Sequence, residues 1–290
     1  MSETNNIKAL IHLIDDPDQF VFEHVRDRLL EFGPGAIPYL ENSWAQDAYG
    51  HEFMVRVENL IHEIQFQDVY NQLLQWKSGQ RDLLEGALII AKYQYPGLNV
   101  DHINDFFSHL TREIWLEISC KLTAYEKINV INQVLYKEYQ FKGDNKNFHS
   151  PLNSYINTVI ELRKGNPLSL CIIYSVLAQR LGLPIYGVNL PNHFVLAYLD
   201  DDNTHDFGES KNNHGVKFYI NCFSGGGFFD QEEVYDYLKR INVTPHRSHF
   251  EPCSNSTILA RMLTNLIASY QQQGMMEKVK ELTLLRKLIL

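Results

Sequence analysis

Arg163-Lys164-Gly165-Asn166-Pro167-Leu168-Ser169-Leu170-Cys171, continuing to Leu181-Gly182-Leu183-Pro184 and then to Pro191-Asn192-His193-Phe194, spells out one covered helix feeding two strands. Asn166 has the side chain of an N-cap, and Pro167 suits the first helical position, where a missing N–H costs nothing. From Leu168 the apolar residues Leu170, Cys171, Ile172, Ile173, Val176, Leu177, Ala178 and Leu181 go round most of the cylinder, so the helix is expected to be buried on nearly every side. Gly182 supplies a left-handed C′ residue and Pro184 stops the helix from resuming. Ile185 to Leu190 and Phe194 to Leu199 have strand composition, with Pro191-Asn192 as the break and His193 opening the second run.

Working outward towards the C-terminus, the acidic run Asp200 to Asp206 and the polar residues up to Gly215 read as a loop, and Val216 to Cys222 as the partner strand. The Asp/Asn alternation fails the calcium-loop pattern, because His205 and Lys211 stand where a Gly and a Glu are needed. His205 and His214 have no fixed spacing to His193, so no metal site is expected. Ser224-Gly225-Gly226-Gly227 turns the chain, and Asp230 with Glu233 makes a capping box for a helix from Gln231 to Ile241. Asn242 to Ser256 is a traversing loop. Ile258 to Gln273 and Met276 to Leu290 form a helix pair about Gly274, with Leu263, Leu266, Ile267 and Tyr270 facing Leu282, Leu285 and Leu288.

Towards the N-terminus everything before residue 140 has helical spacing. Ile7 to Ile14, Phe20 to Phe32 and Ala36 to Ala45 are separated by Asp15-Asp16-Pro17-Asp18 and by Gly33-Pro34-Gly35, the rhythm of a HEAT-type pair. Val55 to Gln65 running into Val69 to Trp76 reads as a poorer second copy. Asp82 to Tyr93, Asp101 to Cys120 and Ala124 to Tyr139 are further amphipathic helices; Phe141 to Asn147 is a loop, and Ser150-Pro151 opens a short helix from Leu152 to Glu161.

These blocks resemble the transglutaminase-like superfamily, a papain-related group in which a Gly-x-Cys opens the core helix, a His opens one strand and an Asp closes the next. Gly165 matches the family glycine, Leu181-Gly182-Leu183-Pro184 the helix end, His193 the general-base histidine and Tyr219-Ile220-Asn221-Cys222 the last strand. The chain departs from the pattern at two positions: Pro167 stands where the nucleophilic Cys belongs and Asn221 where the Asp belongs. Arg163 to Leu170, Asn189 to Phe194 and Asn221 to Gly226 are also similar to a bacterial branch, the SirB-type proteins, which carry a helical N-terminal region and a tetratricopeptide-like tail. The resemblance implies an α+β, predominantly helical fold with a papain/transglutaminase-like core at 121–245. It also implies a HEAT-like region at 1–120 and a helix pair at 246–290.

A papain-like thiolate works because a helix N-terminus and a neighbouring imidazolium depress its pKa. Pro167 has no thiol, and Cys171 sits about 6 Å deeper along the same helix at 1.5 Å per residue, among apolar neighbours. Cys222 follows Asn221, so if Asn221 faces His193, Cys222 faces away. The expected role is a non-catalytic binding or regulatory module. A displaced catalytic set of Cys171, His193 and Asn221 is the enzymatic alternative, and a scaffold presenting its terminal helices to a protein partner is the third.

Composition narrows the field. The 290 residues, 44% of them hydrophobic, suffice for a core without staples. Cys120, Cys171, Cys222 and Cys253 lack paired spacing, which suggests reduced thiols and neither disulfides nor a zinc ribbon. A net charge of -9 has the wrong sign for nucleic acid. No apolar run is long enough for a membrane span, and Met-Ser-Glu-Thr-Asn-Asn is no signal peptide, so a cytoplasmic protein without a cofactor is expected.

Overall fold

The computed structural model describes residues 3–44, 50–199 and 215–290; the acidic run from Asp200, with His205 and His214, lies outside them. The chain divides into two compact units, one of residues 1–75 and 92–96, the other of residues 76–91 and 97–290.

The first unit is helical. It comprises α1 (Glu3–His12), α2 (Gln19–Phe32), a 3₁₀ turn (Gly33–Ala36), α3 (Ile37–Trp44) and the greater part of α4 (His51–Ser78). Asp18 starts α2 by accepting a hydrogen bond from the Phe20 N–H, and Gly33 ends it at φ 58°. Ile11, Ile14, Leu29, Leu40, Phe53 and Leu60 form its core. The two segments expected at 55–65 and 69–76 are one uninterrupted helix of 28 residues. The physical reason is in the sequence: Phe66-Gln67-Asp68 contains no Gly or Pro to break the ladder, and Gln67 with Asn71 and Gln72 with Asp68 bond along the helix surface.

The second unit carries the greater part of α5 (Leu83–Gln94), with α6 (Val100–Glu117) and α7 (Ala124–Asn132), the last opened by a capping box between Thr123 and Glu126. The helix expected to reach Tyr139 widens after Asn132 into a π-turn, Gln133–Glu138. Two short parallel strands follow, β1 (Lys142–Gly143) and β2 (Lys164–Gly165), separated by a 3₁₀ turn (Pro151–Asn153) and α8 (Ile156–Leu162). At 141–147 a loop was expected. Two-residue strands have no alternation to read, and this pair lies against a residue distant in sequence: a Cβ on Gly143 would lie 2.5 Å from the Phe223 ring.

The helix expected from Pro167 is α9 (Pro167–Arg180), buried at every position from Pro167 to Ala178. Gly182 adopts φ 72° beyond its end. An antiparallel sheet then runs in the order β3 (Ile185–Val188), β4 (Val195–Leu199), β5 (Val216–Asn221) and β6 (Gly227–Phe229). α9 covers one face of this sheet. The other face, including Val188, Val195, Ala197 and Tyr219, packs against Val234 and Leu238 of α10 (Gln231–Arg240). Asp230 and Glu233 form the expected capping box. The chain closes with α11 (Asn255–Gln272) and α12 (Met276–Ile289), an antiparallel pair about Gly274 at φ 74°. Fold class is therefore as expected: a mostly helical α+β chain with a buried helix on a small antiparallel sheet.

Candidate functional site

Three turns of backbone converge at the N-terminus of α9. Asn166 caps the helix, its Oδ1 accepting the Ser169 N–H at 2.9 Å, while its Nδ2 donates to Ser154 Oγ at 2.9 Å. That amide is consumed by holding the helix start to the turn before α8. His193 lies just before β4, its backbone N–H bonded to Leu190 O at 3.3 Å, and follows Asn192, which has the left-handed φ of 60°. Asn221 ends β5 and caps the next turn, Oδ1 accepting from the Phe223 and Ser224 amides at 3.2 and 3.3 Å.

His193 and Asn221 are brought together as the sequence suggests: the Asn221 side chain hydrogen-bonds the imidazole. Burial lowers the His193 pKa from its ordinary value; the Asn221 bond opposes that shift and the positive charge of Arg261 reinforces it. The ring is neutral at pH 7. Tyr237 of α10 packs with its ring centroid 6.2 Å from the imidazole and donates its hydroxyl to Pro191 O at 2.7 Å.

Cys171 is not part of that group. It is fully buried one turn into α9, its thiol directed at Phe194 O at 3.6 Å. Burial pushes its pKa well up, and its nearest titrating neighbour is Cys222, not His193. Cys222 is also fully buried, in the 3₁₀ turn after β5, where it interacts with Cys171. Tyr136 and Tyr174 complete this interior cluster, with phenol pKa values raised by the same burial.

The imidazole lies between two cavities. One, of about 310 Å³, is shared with Asn221, Glu233, Tyr237 and Arg240. The other, of about 360 Å³, is bounded by Pro167 and Leu168 at the start of α9, by Asn192 and His193, and by Arg261 and Asn265 of α11. Phe148 and Phe194 add apolar wall. No thiol lines either cavity among the described residues. Ser269 reaches the larger one, but its Oγ is tied to Asn265 O at 2.9 Å. Pro167 thus sits on the rim of a cleft equipped with a base, a guanidinium and amides. Among the described residues no cluster of His, Cys, Asp and Glu is arranged to hold a metal.

Sequence reasoning missed Arg261 and Asn265, because the last helix pair reads as a cap. One signal was available: Arg261 is a charged residue set between Leu259, Ala260, Met262 and Leu263, all of them buried. Its Nη1 donates to Asn189 Oδ1 at 3.0 Å and Leu190 O at 3.5 Å, which ties α11 to the segment that presents His193.

Comparison with known proteins bears on the same region. A UPF0162 protein of Xylella fastidiosa is 30% identical over 199 residues, 65% of this chain and 64% of that protein. The mouse F-box only protein 21 is 25% identical over 247 residues, 75% of this chain and 37% of that protein. A UPF0162 protein of Pasteurella multocida is 38% identical over 88 residues, 30% of this chain and 33% of its own length. The chain therefore matches just under two thirds of the length of its Xylella relative. No solved structure matches it. Among the described residues no helix is long and apolar enough to cross a membrane. The model of the transglutaminase-like superfamily, under the description Transglut_core2, matches residues 101–264, more than half of the chain and all of the elements that form the cleft up to Arg261; the chain belongs to that superfamily.

Proposed function

We propose that the protein is a non-catalytic member of the superfamily, a cytoplasmic binding or regulatory module that holds a ligand in the cleft beside His193. The observation that carries this reading is Pro167 at the first position of α9, facing the cleft where the family's pattern has its thiol. The rest of the site persists without a nucleophile to serve: His193 and Asn221 remain paired, and the cavity remains open to a ligand of small-molecule or peptide-terminus size. The likeness to the SirB-type branch, with its tetratricopeptide-like tail, belongs to this reading and suggests a protein or peptide as the natural partner.

Displaced chemistry through Cys171 is the reading to eliminate. A thiol with a raised pKa and no route to water reacts slowly with electrophiles, because the thiolate is the attacking form. Iodoacetamide at pH 7.5, followed by peptide mass mapping, should label the exposed Cys120 first and leave Cys171 unmodified in the folded protein. Cys171→Ala should cost about 1–2 kcal/mol of stability and leave cleft binding unchanged. Rapid labelling of Cys171 ahead of Cys120 would overturn the proposal and restore the enzyme.

A further inference from the structure

The cleft contains a cation that no carboxylate among the described residues answers. Arg261 is half-buried in the cavity wall, and burial lowers its pKa. Its Nη1 is spent on Asn189 and Leu190, two neutral acceptors. Among the described residues Nε and Nη2 have no hydrogen-bond partner and no carboxylate pairs with the guanidinium. The described lining of the cavity contains neither Asp nor Glu. Removing a guanidinium partly from water without a counter-charge is unfavourable, and an anion entering the cavity would offset that cost.

The surroundings narrow the kind of anion. The described cavity wall carries the Arg261 guanidinium, the imidazoles of His149 and His193 and no lysine; its one permanent positive charge matches a single negative charge better than a phosphate dianion. The free Nε–Nη2 edge is the planar fork that a carboxylate meets with two parallel hydrogen bonds. Leu168 contributes a further donor. Its backbone N–H lies in the first turn of α9 and has no partner among the described residues, whereas Ser169 and Leu170 are bonded to Asn166. The Asn192 and Asn265 side chains, also without hydrogen bonds among the described residues, are suited to an amide group. Leu168, Phe194 and Phe148 give an apolar side chain somewhere to lie.

We infer that the cleft takes a carboxylate adjoining an amide, the α-carboxylate of an N-acylated amino acid or of a peptide chain end, gripped by the Nε–Nη2 edge of Arg261 beside His193. This rests on the reading of the cleft as a binding site and adds the chemical class of its ligand. The Arg261 fork takes the carboxylate, the open amides take the adjoining peptide group, and the apolar wall takes the side chain.

The test is titration calorimetry on the full chain with N-acetyl-alanine, -leucine, -phenylalanine and -glutamine. Each is compared with its C-terminal amide and with a matching acetylated tetrapeptide ending in a free acid or an amide. His193 ring resonances in NMR report the location. At least one free acid should bind and shift those resonances, with its amide about tenfold weaker or more, a charge-assisted contact being worth about 1.5–3 kcal/mol. Arg261→Gln should remove the difference between acid and amide, and Arg261→Lys should retain only part of it. Equal affinity of tetrapeptide and single residue supports a free acylated amino acid as the source, and tighter tetrapeptide binding supports a chain end. Acid and amide binding equally at His193 sinks the carboxylate and leaves the binding site standing. Inorganic phosphate shifting the His193 resonances while no carboxylate does also overturns it. If no acid, amide, peptide or phosphate shifts them, both the inference and the binding reading beneath it fall. The comparison of acid with amide uses the unaltered protein, so it stands even if an Arg261 variant fails to fold.

Discussion

At the level of single residues, His193 carries a measurable signature of its surroundings. Asn221 at the end of β5, Tyr237, Glu233 and Arg240 on α10, Arg261 on α11 and His149 share its two cavities, and burial, reinforced by the charge of Arg261 and opposed by the Asn221 bond, sets its pKa below the free value of about 6.5. The unfolded chain therefore binds the proton at a higher pH than the folded one does. In that window unfolding takes up a proton, so stability rises with pH. His193 makes its full contribution above about pH 6.5, and that contribution is lost as the pH falls through the folded value. Chemical denaturation of the wild type and His193→Gln between pH 7.5 and 5 should show a shallower acid decline in the variant. Identical slopes would mean that the imidazole is as well hydrated as in the open chain. His193 and Asn221 were legible in the sequence because each sits at a strand end within a recognisable block. Arg261 was not, since an arginine on an amphipathic helix reads as a solvent-facing residue until the tertiary fold shows what lies opposite.

At the level of elements, α9 is held by its cap more than by its propensity. Asn166 performs two tasks with one amide, satisfying the Ser169 N–H and fixing Ser154, while Gly165 just before it touches Ser169 and Val159 too closely for any side chain. Asn166→Ala should cost about 2 kcal/mol, the upper range for a cap, because a buried hydroxyl also loses its donor. Gly226→Ala should cost at least as much: its φ is 76°, and a Cβ would stand 2.0 Å from Asn132 Oδ1. Urea midpoints of both variants check this, and a midpoint within 0.3 kcal/mol of wild type for either one contradicts the packing described. Caps and glycines with a local signal were readable: Asn166, Gly182, the Asp230–Glu233 box and Gly274 all fall where the sequence puts them. The β1–β2 pair and the π-turn after Asn132 were not, because each is decided by partners distant in sequence. Asn132 itself joins Tyr174 and Gly226, 42 and 94 residues away.

At the level of the whole molecule, the chain carries a net charge of -9, whereas the described lining of the cleft carries a guanidinium and no carboxylate. An anionic ligand therefore diffuses towards a repulsive body and binds through one local contact. These two effects respond differently to salt. The Debye length falls from about 30 Å at 0.01 M to about 8 Å at 0.15 M, which screens the distributed negative charge far more than a half-buried pair at hydrogen-bond distance. Approach should quicken while the contact itself changes little. For a free-acid ligand of the kind inferred above, the association rate constant should rise severalfold over that range of sodium chloride, with the dissociation rate nearly constant. The corresponding C-terminal amide, being neutral, should show neither change. NMR line-shape analysis at three salt concentrations separates the two rates. A fall in the association rate with salt would mean that the field at the cleft mouth is set by Arg261 and its neighbours rather than by the acidic surface, so that the cleft attracts anions from a distance as well as on contact.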